Sequence, residues 1–100
     1  MVIATTVTLD RYVVDVLMPD LVGHDRKPSA FIVYLYLHGM ATRTGRDRVS
    51  ASLQTIAVQT GLSKSSVQSA IRHLRRRGLL RDEDVETTDP ARVVARPWIR

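Results

Sequence analysis

The sequence predicts an α+β fold in which three helices lead into a C-terminal β-hairpin. Three observations carry this reading. Residues 29–41 are apolar around most of a helical circumference, and residues 52–77 hold two amphipathic helical patterns joined at Gly61. After Gly78 the period changes from helical to strand-like. With 100 residues, 44% of them hydrophobic and 25% charged, a single core is expected and no large disordered fraction.

The first 27 residues are the least regular. Val2, Val7 and the run Tyr12, Val13, Val14, Asp15, Val16 are rich in β-branched side chains and read as an N-terminal extended segment. Such a segment is expected to add to the small sheet or to a partner. Pro19 suits the first position of a short helix, where its missing N–H costs nothing, with Gly23 closing it. The expected organisation is therefore an N-terminal extension over 1–27 and the main domain over 28–100.

Pro28 and Ser29 open the first main helix, expected over 29–41. Phe31, Tyr34, Leu35 and His38 follow helical spacing, and Ile32, Val33, Tyr36 and Leu37 leave little polar surface. A helix of this kind belongs in the centre, buried on more than one side. Residues 42–48 form a charged loop containing Gly45, and 49–51 suit a short strand.

Two helices then follow closely, expected over 52–60 and 64–77. Ser52 suits an N-cap, since its hydroxyl accepts from orphan N–H groups of the first turn. Leu53, Ile56, Ala57 and Thr60 recur at i, i+3, i+4, i+7 and give one packed face. Gly61 ends the helix because glycine adopts a left-handed C-terminal conformation without steric cost. Leu62 is apolar inside the turn, Ser63 caps the next helix, and Val67, Ala70, Ile71 and Leu74 form its inward stripe. Gly78 stops it after three arginines that suit the negative end of the helix dipole. Strands over 79–82 and 92–97, with a polar loop containing Pro90 between them, complete the hairpin.

Charge is unevenly spread. The net charge is +5, yet residues 1–60 carry six Lys/Arg against five Asp/Glu. Residues 61–81 carry Lys64, Arg72, Arg75, Arg76, Arg77 and Arg81 and no acid, whereas 82–89 hold Asp82, Glu83, Asp84, Glu86 and Asp89. An acid-free block of cations on helical residues is a polyanion-binding footprint; the bland alternative is a solvated helix face.

The segment from Leu53 to Leu74, with Ala57, Gly61, Leu62, Val67 and Ile71 at their spacings, resembles the helix-turn-helix of bacterial winged-helix regulators, especially the GntR-type and MarR-type groups. The ending Leu74, Arg75, Arg76, Arg77, Gly78, Leu79, Leu80 looks like their passage from recognition helix to first wing strand. The opening Pro28, Ser29, Ala30, Phe31 is also similar to winged-helix domains of phage and plasmid replication proteins. The resemblance implies a winged helix-turn-helix that binds double-stranded DNA, covering about residues 28–97. The large effector domain of GntR-type regulators and the long terminal helices of MarR-type proteins have no counterpart in these 100 residues. The expectation is thus a regulator without its own sensor domain.

Helix geometry nominates the DNA-facing residues. With Val67 at zero and about 100° per residue, Ser65, Ser69, Arg72 and Arg76 point away from the core and Gln68 lies at the margin. The N-terminal part of a recognition helix faces base edges, so Lys64, Ser65, Ser66, Gln68, Ser69, Arg72 and Arg76 are the candidates. Gln68 can pair bidentately with adenine and Arg72 with guanine. Lys64, Ser65 and Ser66 suit phosphates at the helix N-terminus, although serines there also serve as caps. Arg76 is favoured over Arg75 and Arg77 for a backbone contact, the alternative for all three being the last helical carbonyls. The acidic loop 82–89 would be repelled from a minor groove, leaving Arg81, Arg92 and Arg96 near its base, or a wing turned away from the duplex. Arg43, Arg46 and Arg48 form a second cationic patch, either a phosphate clamp or an exposed turn.

Other chemistry is not indicated. Cysteine is absent, and His24, His38 and His73 have no metal-ligand spacing. His38 reads as a hydrogen-bonded core or interface residue. No phosphate-cradling glycine loop, catalytic constellation, membrane span or signal peptide is legible. The expectations are no cofactor, no metal, no enzymatic activity, no membrane, a cytoplasmic address, and a homodimer on a two-fold site. Tyr12, Val14 and Val16, or the apolar helix 29–41, are the candidate dimer contacts. Two alternatives share the fold: a replication or partition protein with the same DNA-binding face, and a protein-interaction module that binds no DNA.

Overall fold

The computed structural model describes residues 6–43, 45, 47–82 and 91–99. Three α-helices, α1 (Pro28–Arg43), α2 (Leu53–Thr60) and α3 (Lys64–Arg76), surround one core with a three-stranded antiparallel sheet. The strands are β1 (Arg48–Ser50), β2 (Leu80–Asp82) and β3 (Ala91–Val94), in the order β1-β3-β2. This is the winged-helix arrangement. β2 and β3 form the expected hairpin, pairing Leu80 with Val94, Arg81 with Val93 and Asp82 with Arg92. The acidic loop beyond Asp82 falls largely on 83–90, outside the described residues.

The N-terminal expectation needs correction. Residues 11–24 are helical, not extended, and two of their segments, Val13–Leu17 and Pro19–His24, are π-type. Asp10 starts the winding by accepting the Tyr12 N–H at its carboxylate, 2.9 Å away. The reason for the change is a second pattern in the same residues. Tyr12, Val14 and Val16 alternate as a strand would, but Val13, Leu17 and Leu21 recur every fourth residue and are buried in the common core. Burial of that row outweighs the weak strand preference of valine. Nor does Gly23 close the segment. It runs on to His24, and Arg26 then takes the left-handed conformation, with φ 52°. Val2 lies outside the described residues, and Val7 is in irregular chain.

The third strand of the sheet is accordingly β1, not the N-terminus. β1 pairs with β3 through Arg48 and Val93, Val49 and Arg92, and Ser50 and Ala91. Helix α1 is the central one, with Ala30, Phe31, Val33, Tyr34, Leu37, His38 and Ala41 buried. The Tyr34 hydroxyl donates to the Ala95 carbonyl at 2.7 Å and so ties α1 to the end of the wing. Burial raises the pKa of that phenol well above its ordinary value, in keeping with a neutral donor. No described helix is long and apolar enough to cross a membrane.

Candidate nucleic-acid interface

Local chemistry sets the angle between α2 and α3. The Ser52 hydroxyl accepts the Thr55 N–H at 3.1 Å, capping α2 as its sequence requires. Gly61, with φ 79°, ends it, and its N–H reaches the Ala57 carbonyl at 2.9 Å. Ser63 caps α3 by accepting the Ser66 N–H at 3.1 Å. Val67, Ala70, Ile71 and Leu74 are buried, so α3 is fixed on one side and open on the other.

The open side carries a row. Gln68, Arg72 and Arg76 are exposed at successive turns, with Lys64 and Ser65 exposed at the N-terminal end. Among the described residues Arg72 and Arg76 make no ion pair. Ser66 and Ser69 stand differently, both half-buried. Ser66 is engaged in the cap, where the Ser63 hydroxyl also donates to its Oγ at 2.9 Å. Ser69 accepts from Lys27 Nζ at 2.6 Å.

Ser69 begins a second row, with His73 and Arg77, which faces the chain before α1. His73 Nε2 donates to Asp25 Oδ2 at 2.7 Å. Arg77 pairs with Asp20, and its Nε lies 3.0 Å from Asp25 Oδ2. His24 adds a bond to Asp25 Oδ1 at 2.9 Å. The bonds from His24 and His73 hold the Asp25 carboxyl below its ordinary value of 3.8; Arg77 adds to this and desolvation opposes it. Asp20, His24 and Asp25 bring ligand-type atoms within 4.8 Å of one another, but both carboxylates already serve Arg77.

This second row is what the sequence did not reveal. Arg77 counts toward a cationic face in a tally of charges, yet two aspartates neutralise it. Arg75 pairs with Asp82 at 2.9 Å across to the hairpin. Of the three consecutive arginines, Arg76 alone makes no ion pair among the described residues. The three cations expected near the wing base also part company. Arg81 and Arg96 are exposed, while Arg92 is buried. In the other cationic patch Arg43 and Arg48 are exposed, and Arg46 lies outside the described residues.

A groove of about 910 Å³ lies elsewhere, against α1, residues 6–10 and the stretch after β3; Thr8, His38, Arg43, Arg96 and Trp98 are among its walls, and no residue of α2 or α3 lines it. His38 is buried there, stacked on Tyr34 with ring centres 5.9 Å apart and edge-on to Trp98 at 5.7 Å. Burial lowers its pKa, and the nearby Arg96 charge acts in the same direction.

Residues 27–80 match a protein family described as a helix-turn-helix domain. No curated protein and no solved structure matches the chain. The matched stretch spans α1, β1, the capped α2–turn–α3 unit and the start of β2, more than half of the sequence. By that match, and by the winged-helix arrangement that carries it, the chain belongs to the helix-turn-helix domain family.

Proposed function

We propose that this chain is a small transcription regulator that binds double-stranded DNA sequence-specifically through α3 and acts in the cytoplasm as a homodimer. The observation that carries the reading is the outward row Gln68, Arg72 and Arg76 on a helix whose opposite stripe is locked in the core. Family membership supports DNA binding. Gln68 and Arg72 read base edges, adenine and guanine respectively, because each presents a paired hydrogen-bonding fork. Lys64, Ser65 and Arg76 hold backbone phosphates and set the register. Ser66 and Ser69 serve α3 from within, through its cap and its bond to Lys27.

One such module reads too few base pairs to single out a site in a genome, which favours a two-fold dimer. Val14, Val16, Met18 and Val22 are large apolar residues that stand exposed on the N-terminal helical segment. They are the proposed contact between copies, in a binding protein rather than a catalyst. The test is selection of bound sequences from a random duplex pool, with light scattering of the protein alone and bound. Enrichment of a two-fold symmetric motif by a dimer is the expected result. A motif without symmetry, bound by a monomer, would remove the dimer; no enrichment at all would remove sequence-specific binding.

A further inference from the structure

Between α3 and the sheet lies a cleft of about 190 Å³ lined by Leu53, Gln68, Ile71, Arg72, Arg75 and Arg92. Its floor is unusual. Arg92 sits on the central strand β3, two residues before the buried Val94, and so shares the core-facing side of the sheet. It is only 4% exposed. Its Nη1 donates to the Ala51 carbonyl at 2.6 Å, but its Nε is buried with no hydrogen-bond partner. A buried guanidinium with an unused donor and no ion pair among the described residues is costly unless an acceptor binds the part of it that lines the cleft.

The surroundings indicate what that acceptor is. Three guanidiniums border the cleft, and among the described residues the carboxylate beside them is Asp82, which pairs with Arg75. The positive excess calls for an anion. Leu53 and Ile71 form the apolar part of the wall, where a low local dielectric strengthens a charge-assisted bond. The cleft volume is about 190 Å³. It falls short of the about 300 Å³ at which pockets for whole organic ligands begin. One tetrahedral group fits these limits; a nucleoside does not.

We infer that this cleft is a phosphate-binding site, in which Arg92 from the sheet and Arg75 from α3 take one phosphate group of a DNA backbone lying along α3. Gln68 and Arg72 form its outer wall, next to the base edges assigned to them above. The inference rests on the DNA-binding reading and extends it to a buried residue of the sheet. The bound phosphate would join the wing's central strand to the recognition helix.

The test uses the whole chain and a random-sequence duplex, because a phosphate contact needs no particular sequence. Binding is measured between about 50 and 200 mM salt for the wild type, Arg92→Gln, Arg75→Gln and the charge-matched control Arg11→Gln, with thermal unfolding of each. Arg92→Gln and Arg75→Gln should each reduce the salt slope, by about one at most because they share one phosphate, which is up to about eightfold in affinity near 0.1 M salt. Arg11→Gln should leave both unchanged. Should Arg92→Gln fail to fold, Arg75→Gln, exposed on α3, decides alone. Wild-type binding with slopes unchanged in the folded variants overturns the site and leaves the DNA reading standing.

A wild type that binds no duplex overturns the DNA reading instead, and inorganic phosphate then decides the site. A rise in melting temperature in phosphate over chloride at matched ionic strength, lost in the folded variant, keeps it as a site for free oxyanions. No such rise removes it. With duplex binding intact, the same comparison tells whether free phosphate competes or only the polymer is held.

Discussion

Two rows of side chains run along α3 one residue apart and have different neighbours. Gln68, Arg72 and Arg76 face outward, and neither arginine has an ion-pair partner among the described residues. Ser69, His73 and Arg77 are each bonded to the chain before α1, at Lys27, Asp25 and Asp20. A step of about 100° separates a surface that can meet a ligand from one already engaged within the protein. Cationic charge on a helix is therefore a poor measure of what that helix offers a polyanion. The comparison makes a division that experiment can break: the outward row should govern binding, and the bonded row should govern stability.

The largest effect is expected where the bonded row's partners are anchored. Leu21 is fully buried between the segment that carries Asp20 and Asp25 and the rest of the core. Leu21→Ala should cost about 2–5 kcal/mol of stability, read by urea denaturation. A loss under about 0.5 kcal/mol would mean that the N-terminal segment is dispensable to the fold, and the second row a superficial contact.

Next come the outward residues. Gln68→Ala and Arg72→Ala should each cost about 1–3 kcal/mol on the preferred duplex, with stability changed by no more than about 0.5 kcal/mol. Titrating both proteins against preferred and unrelated duplexes separates base reading from general attraction. Equal losses on both duplexes would turn these side chains into phosphate contacts.

Much of this arrangement is legible in the sequence. Ser52, Gly61 and Ser63 specify their caps through short-range chemistry, and the structure places each cap as expected. The stripe Val67, Ala70, Ile71, Leu74 fixes which side of α3 turns inward, so the outward side follows by rotation. The flank was not legible. Whether the residues at about 200–280° from Val67 meet solvent or protein depends on where residues 11–27 pack. That segment offered two periods at once, Tyr12/Val14/Val16 and Val13/Leu17/Leu21, and only tertiary burial selects between them. The burial of Arg92 was hidden for a related reason: a strand read by alternation has an inward face, but an arginine there is normally assigned to solvent.

Acid should distinguish the bonded row from the aromatic groove. The folded-state pKa of His38 is depressed by burial, so its stabilising contribution is full above 6.5 and is lost as pH falls below that value. Asp25 is also depressed, which puts its loss below 3.8, as pH falls through its folded-state pKa. Stability measured against pH should therefore decline in two stages. His38→Phe should flatten the first, and Asp25→Asn the second. A first stage that persists in His38→Phe would assign it to another group.

The smallest effect gives the sharpest comparison, because it removes a single hydroxyl from either row. Ser65 is exposed near the start of the outward side, whereas Ser69 is half-buried beneath Lys27. Both were nominated for DNA by the same rotation argument. Ser69→Ala deletes the acceptor of the Lys27 ammonium and should cost about 1 kcal/mol of stability, with duplex affinity unchanged. Ser65→Ala should leave stability within about 0.5 kcal/mol and weaken binding to any duplex slightly, as loss of one neutral phosphate contact would. The Ser65 Oγ lies 3.2 Å from the Ser63 Oγ, so the cap must be checked by helical circular dichroism in that variant. Denaturant midpoints and duplex titrations on the two proteins suffice. If Ser69→Ala weakens binding while its midpoint stays at the wild-type value, the serine reaches the duplex after all, and the boundary between the rows must move by one residue.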